Sequence, residues 1–301
     1  MKSRKLLPLV VVISFFSSCS KPKVDDGGGT SPTPATAQTL PDVSYGSDAA
    51  QKMDIYLPAG RTTASTKVIV LIHGGAWSGG DKKDLSTLQY GMIITDTLKT
   101  RFPGYAIFNI NYRLSTGTAN LFPTQENDIK TAVQFIYDHA ATYLIGDKYI
   151  FIGESAGAHL AMLQGYKYAT PLKPKAIVSL FGPSDLTDMY NNPVGPSPTV
   201  TQLVLAQTIG ATPTSNAAIY TSSSPVNFIV AGSAPTILLH GSNDPLVSPT
   251  QSVAVKNKLT AVGTVNQYVL YPGKGHGDDW GDAIYKDAFN NIQAFITANV
   301  P

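Results

Sequence analysis

The chain has 301 residues, of which 43% are hydrophobic and 14% are charged, and its formal net charge is +2 at pH 7. This length and hydrophobic content suffice for one large domain with a single core. The small net charge gives no electrostatic basis for binding nucleic acid, so we expect no nucleic-acid partner.

The first residues have the layout of a secretory signal peptide. Basic residues within 2–5 precede an apolar stretch, residues 6–16, which is shorter than the ~20 apolar residues of a membrane-spanning helix. Cys19 is the only cysteine of the chain, and its surroundings resemble a bacterial lipobox, although Phe16 replaces the more usual leucine. We therefore predict a lipoprotein signal peptide at residues 1–19 with lipidation at Cys19. A simple cleaved signal peptide is the alternative, and it would give a secreted or periplasmic protein.

Residues 20–42 are rich in Lys, Asp, Gly, Pro, Thr and Ser and have almost no apolar side chains. This composition predicts a flexible linker. The charged cluster at residues 21–26 resembles the surface-export signals of Bacteroidetes lipoproteins. We expect a lipid-anchored protein of the cell envelope, in the outer membrane or at the cell surface, with one domain at residues 43–301.

Apolar runs predict the strands of this domain. They are residues 67–72, 105–110, 149–152, 175–180, 236–239 and 265–270. The first five are nearly continuous in apolar residues, which is typical of central strands in a parallel sheet. Met53, Ile55 and Leu57 alternate with polar residues and predict an early antiparallel strand at the sheet edge.

Apolar residues at helical spacing predict one helix over residues 129–140 and another over residues 283–295. Strands that alternate with helices predict an α/β fold with a mostly parallel sheet flanked by helices. Residues 182–232 are rich in Pro, Ser and Thr, and we predict that they form a small irregular cap. In such sheets, reactive groups collect at the carboxyl ends of the strands.

The sequence GESAGAH, residues 153–159, directly follows one predicted strand. Gly153 and Gly157 flank Ser155 with the G-x-S-x-G spacing, which lets the backbone turn sharply and expose the serine oxygen. The residues after Ser155 suit a helix whose free N–H groups would point at the same spot. The same pattern occurs in ordinary glycine turns, so the motif alone leaves both interpretations open.

Other strand ends carry further candidate residues. HGGAWSGG follows the strand at 67–72, and its paired glycines can turn backbone N–H groups toward an oxyanion. Asp244 lies in HGSNDPLVS and His276 in YPGKGHG, each after a later strand. Serine, acid and histidine in this chain order favour a hydrolytic triad, with Asp185 as a rival acid.

The remaining candidates have structural interpretations. We expect His73 and His240 to brace loops, His159 to lie on its helix surface or in packing, and Trp77 to pack within its own loop. Glu154, beside the serine, is interpreted equally as a structural residue or as one that tunes the site.

These motifs, together with NYRL, FPTQENDIKTAV and SSPVNF, resemble the α/β-hydrolase esterases and lipases that carry an HGG-x-W oxyanion loop. Feruloyl and acetylxylan-type carbohydrate esterases belong to this group. The resemblance covers about residues 43–299 and implies the α/β-hydrolase fold, a catalytic domain at 43–301 and a cap at 182–232.

The resemblance implies a role for each matching residue. Ser155 would be the nucleophile, Asp244 the acid and His276 the base. The oxyanion would be bound by the backbone N–H groups of Gly74, Gly75 and Ala156. The mechanism needs neither a metal nor a cofactor.

The implied activity is that of a carboxylesterase that forms an acyl-enzyme on short-chain or aromatic esters, such as those of acetylated or feruloylated plant polysaccharides. Its partners would be a small-molecule or carbohydrate ester and, through Cys19, a membrane. We expect a monomer. An arylformamidase-like amidase and a noncatalytic surface-binding lipoprotein that kept the fold are the alternatives.

Overall fold

A central sheet organises the protein in the computed structural model, which describes residues 34–86 and 94–301. Its strands are β1 (Gln38–Ser44), β2 (Lys52–Leu57), β3 (Val68–Ile72), β4 (Ala106–Ile110), β5 (Tyr149–Glu154), β6 (Ala176–Leu180), β7 (Thr236–Gly241) and β8 (Asn266–Tyr271). Their order across the sheet is β1-β2-β4-β3-β5-β6-β7-β8. β1, β2 and β4 pair antiparallel, and all pairs from β4 to β8 are parallel. The carboxyl ends of β3, β5, β6, β7 and β8 therefore share one edge.

Helices cover both faces of this sheet. They are α1 (Ile94–Arg101), α2 (Thr124–Asp138), α3 (Ala140–Tyr143), α4 (Ala156–Lys167), α5 (Leu186–Asn191), α6 (Pro198–Ile209), α7 (Ala217–Ser222), α8 (Thr250–Ala261) and α9 (Gly281–Asn299). Apolar side chains of α2, α4 and α8 pack on one face, and those of α1 and α9 pack on the other. Over residues 34–86 and 94–301, none of the helices is long and apolar enough to cross a membrane.

Every predicted strand is present within two residues of its expected bounds, and the predicted α/β architecture is confirmed. The edge position expected for Met53–Leu57 is wrong, because β2 lies between β1 and β4. The linker boundary at residue 42 is also wrong, because β1 already begins at Gln38. Leu40 and Val43 pack against the core, and a register shift between them breaks the alternation that marks a strand. Residues 1–33, with Cys19 and most of the predicted linker, lie outside the described residues.

The region predicted as an irregular cap, residues 182–232, contains α5, α6, α7 and a short 3-10 helix at Pro225–Phe228. The sequence of α6 is rich in Thr and Val, which are weak helix formers, so its pattern did not indicate a helix. Burial of Leu205 and Ile209 stabilises this helix, and Gly210 ends it in a left-handed conformation with φ 78°.

Candidate active site

Ser155 lies at the sharp turn between β5 and α4. Its backbone has φ 49° and ψ −119°, a strained conformation for a residue with a side chain, and its N–H donates to the Leu180 carbonyl at 2.9 Å. The flanking glycines allow a close backbone approach. A Cβ atom on Gly153 would lie 2.3 Å from the Gly157 carbonyl, and one on Gly157 would lie 2.2 Å from the Ile72 carbonyl oxygen. The G-x-S-x-G spacing is therefore required by packing as well as by the turn.

His276 and Asp244 meet Ser155 at the carboxyl edge of the sheet. The Nε2 atom of His276 lies 2.8 Å from Ser155 Oγ, and its Nδ1 atom lies 2.6 Å from Asp244 Oδ2. The Asp244 side chain is fully buried, whereas that of His276 is 13% exposed. With Nδ1–H donating to the carboxylate, Nε2 is free to accept the serine proton. The structure thus brings the three predicted residues into one hydrogen-bonded chain.

The Asp244 carboxylate accepts several hydrogen bonds. Its Oδ1 accepts from the N–H groups of Leu246 and Val247 at 2.8 and 2.9 Å, and its Oδ2 lies 3.1 Å from His240 Nε2. Burial would raise the pKa of Asp244, but the hydrogen bonds from His240 and His276 outweigh burial and hold that pKa well below its ordinary value. The carboxylate is therefore charged at any pH at which the enzyme would work.

His240 was predicted only to brace a loop, and the structure adds its contact with Asp244. Its Nδ1 pairs with Ser252 Oγ at 2.8 Å, and its Nε2 also contacts the Val247 carbonyl at 2.9 Å. Both ring nitrogens are thus occupied, and the ring is completely buried. The signal in the sequence was its place at the end of β7, four residues before the acid.

The rival acid, Asp185, has a different role. Its side chain accepts a hydrogen bond from the Asp188 N–H at 3.0 Å and so caps the N-terminus of α5. The acid that contacts His276 is Asp244.

The loop after β3 has an unusual backbone. Gly75, Ala76 and Trp77 have φ values of 101°, 51° and 59°, and Ser78 and Gly79 donate their N–H groups back to the Gly75 carbonyl. This conformation brings Ala76 to the cavity wall beside Ser155. Of the predicted oxyanion donors, Gly75 lies in this turn, and Ala156 is the first residue of α4, where the N–H group has no partner within the helix.

Gly74 is different, because its backbone N–H acts on the Glu154 carboxyl group and lowers the pKa of that group. Glu154 is only 9% exposed. Burial raises the pKa of Glu154 from 4.5 to about 7, while the Gly74 N–H and His276 oppose this rise and Asp84 adds to it. The glutamate beside the serine is therefore a buried group that titrates near neutral pH, a property that the sequence alone did not reveal.

His159 was expected on the surface of its helix or in packing, and it is fully buried. Its Nδ1 accepts from the indole N–H of Trp77 at 3.2 Å, so its Nε2 must carry the proton that is shared with the Ser223 carbonyl at 2.7 Å. Burial lowers the pKa of His159 from 6.5 to about 4. One neutral side chain thus joins the helix that follows Ser155 to the glycine loop after β3 and to the region at 182–232. Trp77 packs as expected and also lines the cavity at Ser155.

Two cavities meet at Ser155 and His276. The first has a volume of about 120 Å³ and is lined mainly by apolar side chains, among them Trp77, Val204 and Leu205. The second has a volume of about 290 Å³ and is lined by Glu154, Asp84 and the backbone of the glycine loop. Across the described residues, no group of His, Cys, Asp and Glu side chains is arranged to hold a metal ion.

Several known proteins that are similar to this chain are esterases. LipM of Mycobacterium tuberculosis, a probable carboxylic ester hydrolase, is 29% identical over 270 residues, which cover 81% of this chain and 59% of LipM. The chain therefore spans less than two thirds of that relative.

Two solved structures have the same fold with similar levels of identity. A truncated carbohydrate esterase from gut microbiota is 25% identical with a TM-score of 0.69, over 86% of this chain and 96% of that one. A bifunctional GH43-CE protein of Bacteroides eggerthii is 27% identical with a TM-score of 0.71, over 87% of this chain and 38% of that one. The BD-FAE family model matches residues 53–259, from β2 to the end of α8 and with Ser155 and Asp244 inside it. The chain belongs to the BD-FAE family of α/β-hydrolase esterases.

Proposed function

We propose that the protein is a serine carboxylesterase in which Ser155, His276 and Asp244 form the catalytic triad. The observation that carries this proposal is the chain of contacts from Ser155 Oγ to His276 at 2.8 Å and from His276 to Asp244 at 2.6 Å. A serine hydroxyl is a weak nucleophile until a neighbouring imidazole accepts its proton, and this geometry supplies that acceptor.

The reaction would proceed in two balanced halves. His276 Nε2 takes the hydroxyl proton while Ser155 Oγ bonds to the ester carbonyl carbon, and the N–H groups of Gly75 and Ala156 bind the resulting oxyanion. The intermediate collapses, the C–O bond to the alcohol breaks, and His276 returns its proton to the leaving oxygen. Water then repeats these steps on the acyl-serine and releases the acid. Asp244 stays ionised throughout, in keeping with its lowered pKa.

The proposed substrates are short-chain or aromatic esters on carbohydrates, such as acetylated or feruloylated plant polysaccharides. The two solved relatives described as carbohydrate esterase and GH43-CE protein support this choice. The small apolar cavity at Ser155, about 120 Å³, supports a short acyl group over a long chain.

We expect kcat/KM for 4-nitrophenyl esters to peak between acetyl and butyryl and to fall by octanoyl. A deep apolar pocket would instead gain ~0.8 kcal/mol for each buried methylene, so activity that rises steadily to octanoyl would identify a lipase. Val204→Phe should narrow the cavity and lower butyryl relative to acetyl hydrolysis. Leu203→Phe is the matched control, because Leu203, the neighbour of Val204 on α6, is 53% exposed and does not line the cavity. A preference for N-formyl anilides over all esters would move the protein to the amidase alternative.

We also propose that the chain is anchored to a membrane of the cell envelope through a lipid on Cys19. The layout of residues 1–19 supports this proposal. The full-length chain should then fractionate with membranes, and Cys19→Ser should become soluble, because acyl chains and not a spanning helix would hold the protein. Equal fractionation of the two forms would leave only a cleaved secretory signal.

A further inference from the structure

The two cavities at Ser155 share part of their walls and differ in the rest. Ala76, Leu246, Ser155 and His276 border both of them. An ester that reacts at Ser155 must place its acyl group on one side of the carbonyl carbon and its alcohol on the other, so each cavity can receive one half of the substrate.

The smaller cavity suits the acyl half. Beyond the shared residues, its walls come from Trp77, from Pro183, Met189 and Val247, and from α6, whose Thr201 is the one hydroxyl among Val200, Val204 and Leu205. These walls offer few partners for hydroxyl groups, and burying a hydroxyl without a hydrogen bond costs free energy. A sugar is therefore a poor occupant of this side, whereas a methyl or propyl group is a good one.

The larger cavity has a polar wall. Glu154 borders it, together with Asp84, whose Oδ2 already accepts the Asp81 N–H at 2.8 Å. Its glycines leave no room for side chains: a Cβ atom on Gly80 would lie 2.8 Å from the Gly74 carbonyl oxygen. Phe181 and Leu246 are apolar side chains in this wall, but its backbone carbonyls and carboxyl groups can accept hydrogen bonds from hydroxyls.

We propose that this polar cavity binds the hydroxyl-bearing alcohol half of the ester and that the Glu154 carboxylate accepts a hydrogen bond from a substrate hydroxyl. This assignment rests on the proposed esterase function and makes Glu154 a specificity-determining residue for carbohydrate esters. The charged and titratable groups that act on Glu154 are His276, Asp84 and Tyr112.

The test compares an acetylated xylo-oligosaccharide with 4-nitrophenyl acetate, whose alcohol half has no hydroxyl to donate while it is esterified. In Glu154→Gln, the ratio of kcat/KM for the sugar ester to that for the nitrophenyl ester should fall about ten-fold, mainly through KM, as expected when one hydrogen bond to a charged group is lost. The chain has one other glutamate, Glu126, which pairs with Lys167 at 2.7 Å away from both cavities. Glu126→Gln is the matched control and should leave the ratio unchanged.

The same ratio should depend on pH in the wild type. Above a pH of about 7 Glu154 is charged and accepts a stronger hydrogen bond, so the ratio should rise as the pH increases through that value. The proton transfers of the proposed mechanism are common to both substrates and cancel in the ratio. In Glu154→Gln the ratio should be flat with pH.

Binding of the deacetylated xylo-oligosaccharide to Ser155→Ala, measured by calorimetry, separates this inference from the catalytic proposal. We expect binding that weakens about ten-fold when Glu154→Gln is added. If the wild-type protein hydrolyses no ester but glycan binding still depends on Glu154, the cavity assignment is supported and the proposed function is rejected. The assignment would be overturned if Glu154→Gln changed neither the kcat/KM ratio of the two esters nor glycan binding, or if it lowered kcat/KM equally for both esters. Glu154 would then only shape the turn at Gly74.

Discussion

Ser155→Ala should lower kcat for 4-nitrophenyl acetate by about 10⁶-fold, because in the proposed mechanism it removes the atom that attacks the substrate and accepts its acyl group. The backbone at residue 155 is held by the Leu180 carbonyl and by the flanking glycines, none of which depends on the hydroxyl. We therefore expect the melting temperature to stay close to that of the wild type. Ser65→Ala, in an exposed turn, is the control and should keep full activity.

A Ser155→Ala protein that kept more than a few per cent of wild-type turnover would remove this serine from the mechanism. A wild-type protein that hydrolysed none of the esters or anilides would instead support the noncatalytic alternative. Mass spectrometry of the wild type after treatment with an aryl phosphonate should find the label on the peptide that contains Ser155.

Asp244→Asn should lower kcat by about 10⁴-fold. In the wild type, the Asp244 carboxylate keeps the proton of His276 on Nδ1. In the variant, the NH₂ group of the new asparagine can face Nδ1, and the proton of His276 then moves to Nε2. Nε2, which lies 2.8 Å from Ser155 Oγ, could then no longer accept the serine proton. Asn can still accept the N–H bonds of Leu246 and Val247 through its oxygen, so the loop should survive the change.

Asp185→Asn is the matched control for this prediction, because Asn is also a good N-cap and the residue does not contact His276. Its kcat should stay within about two-fold of the wild type, because the substitution keeps the cap of α5 and lies outside the contacts of the triad. If Asp185→Asn were the crippling change and Asp244→Asn the mild one, the acid would be misassigned.

The sequence was sufficient to predict the elements that place the site. The core strands are nearly continuous apolar runs, and the carboxyl ends of parallel strands must share one edge, so Ser155 and Asp244 were predictable from their positions after β5 and β7. His276 was predictable from its position after β8, a less apolar strand with its carboxyl end at the same edge. β1 was missed because it has few apolar side chains and a register shift. In residues 182–232, α6 was missed because tertiary burial outweighs the weak helix propensity of Thr and Val, and α5 and α7 have only six residues each, too few to show helical spacing.

The contacts around Ser155, His276 and Asp244 could not be predicted from the sequence, because each of them joins segments that are far apart in the chain. His159 depends on Trp77 and on Ser223, which are 82 and 64 residues away from it in the chain. The raised pKa of Glu154 likewise follows from burial in the assembled fold, which outweighs the lowering effects of Gly74 and His276. A motif can place a side chain at a turn, but only packing determines what surrounds it.

The close backbone contacts at the serine turn have a consequence for how such an enzyme can diversify. Gly153 packs on Gly157, and Gly157 packs on the carbonyl of Ile72, so two adjacent strands and α4 are fixed together by atoms that every amino acid has in common. No side-chain substitution can re-aim the serine without breaking these contacts. We therefore expect substitutions that change substrate choice on α6 and in the glycine loop, which border the cavities, and not at Gly153 or Gly157.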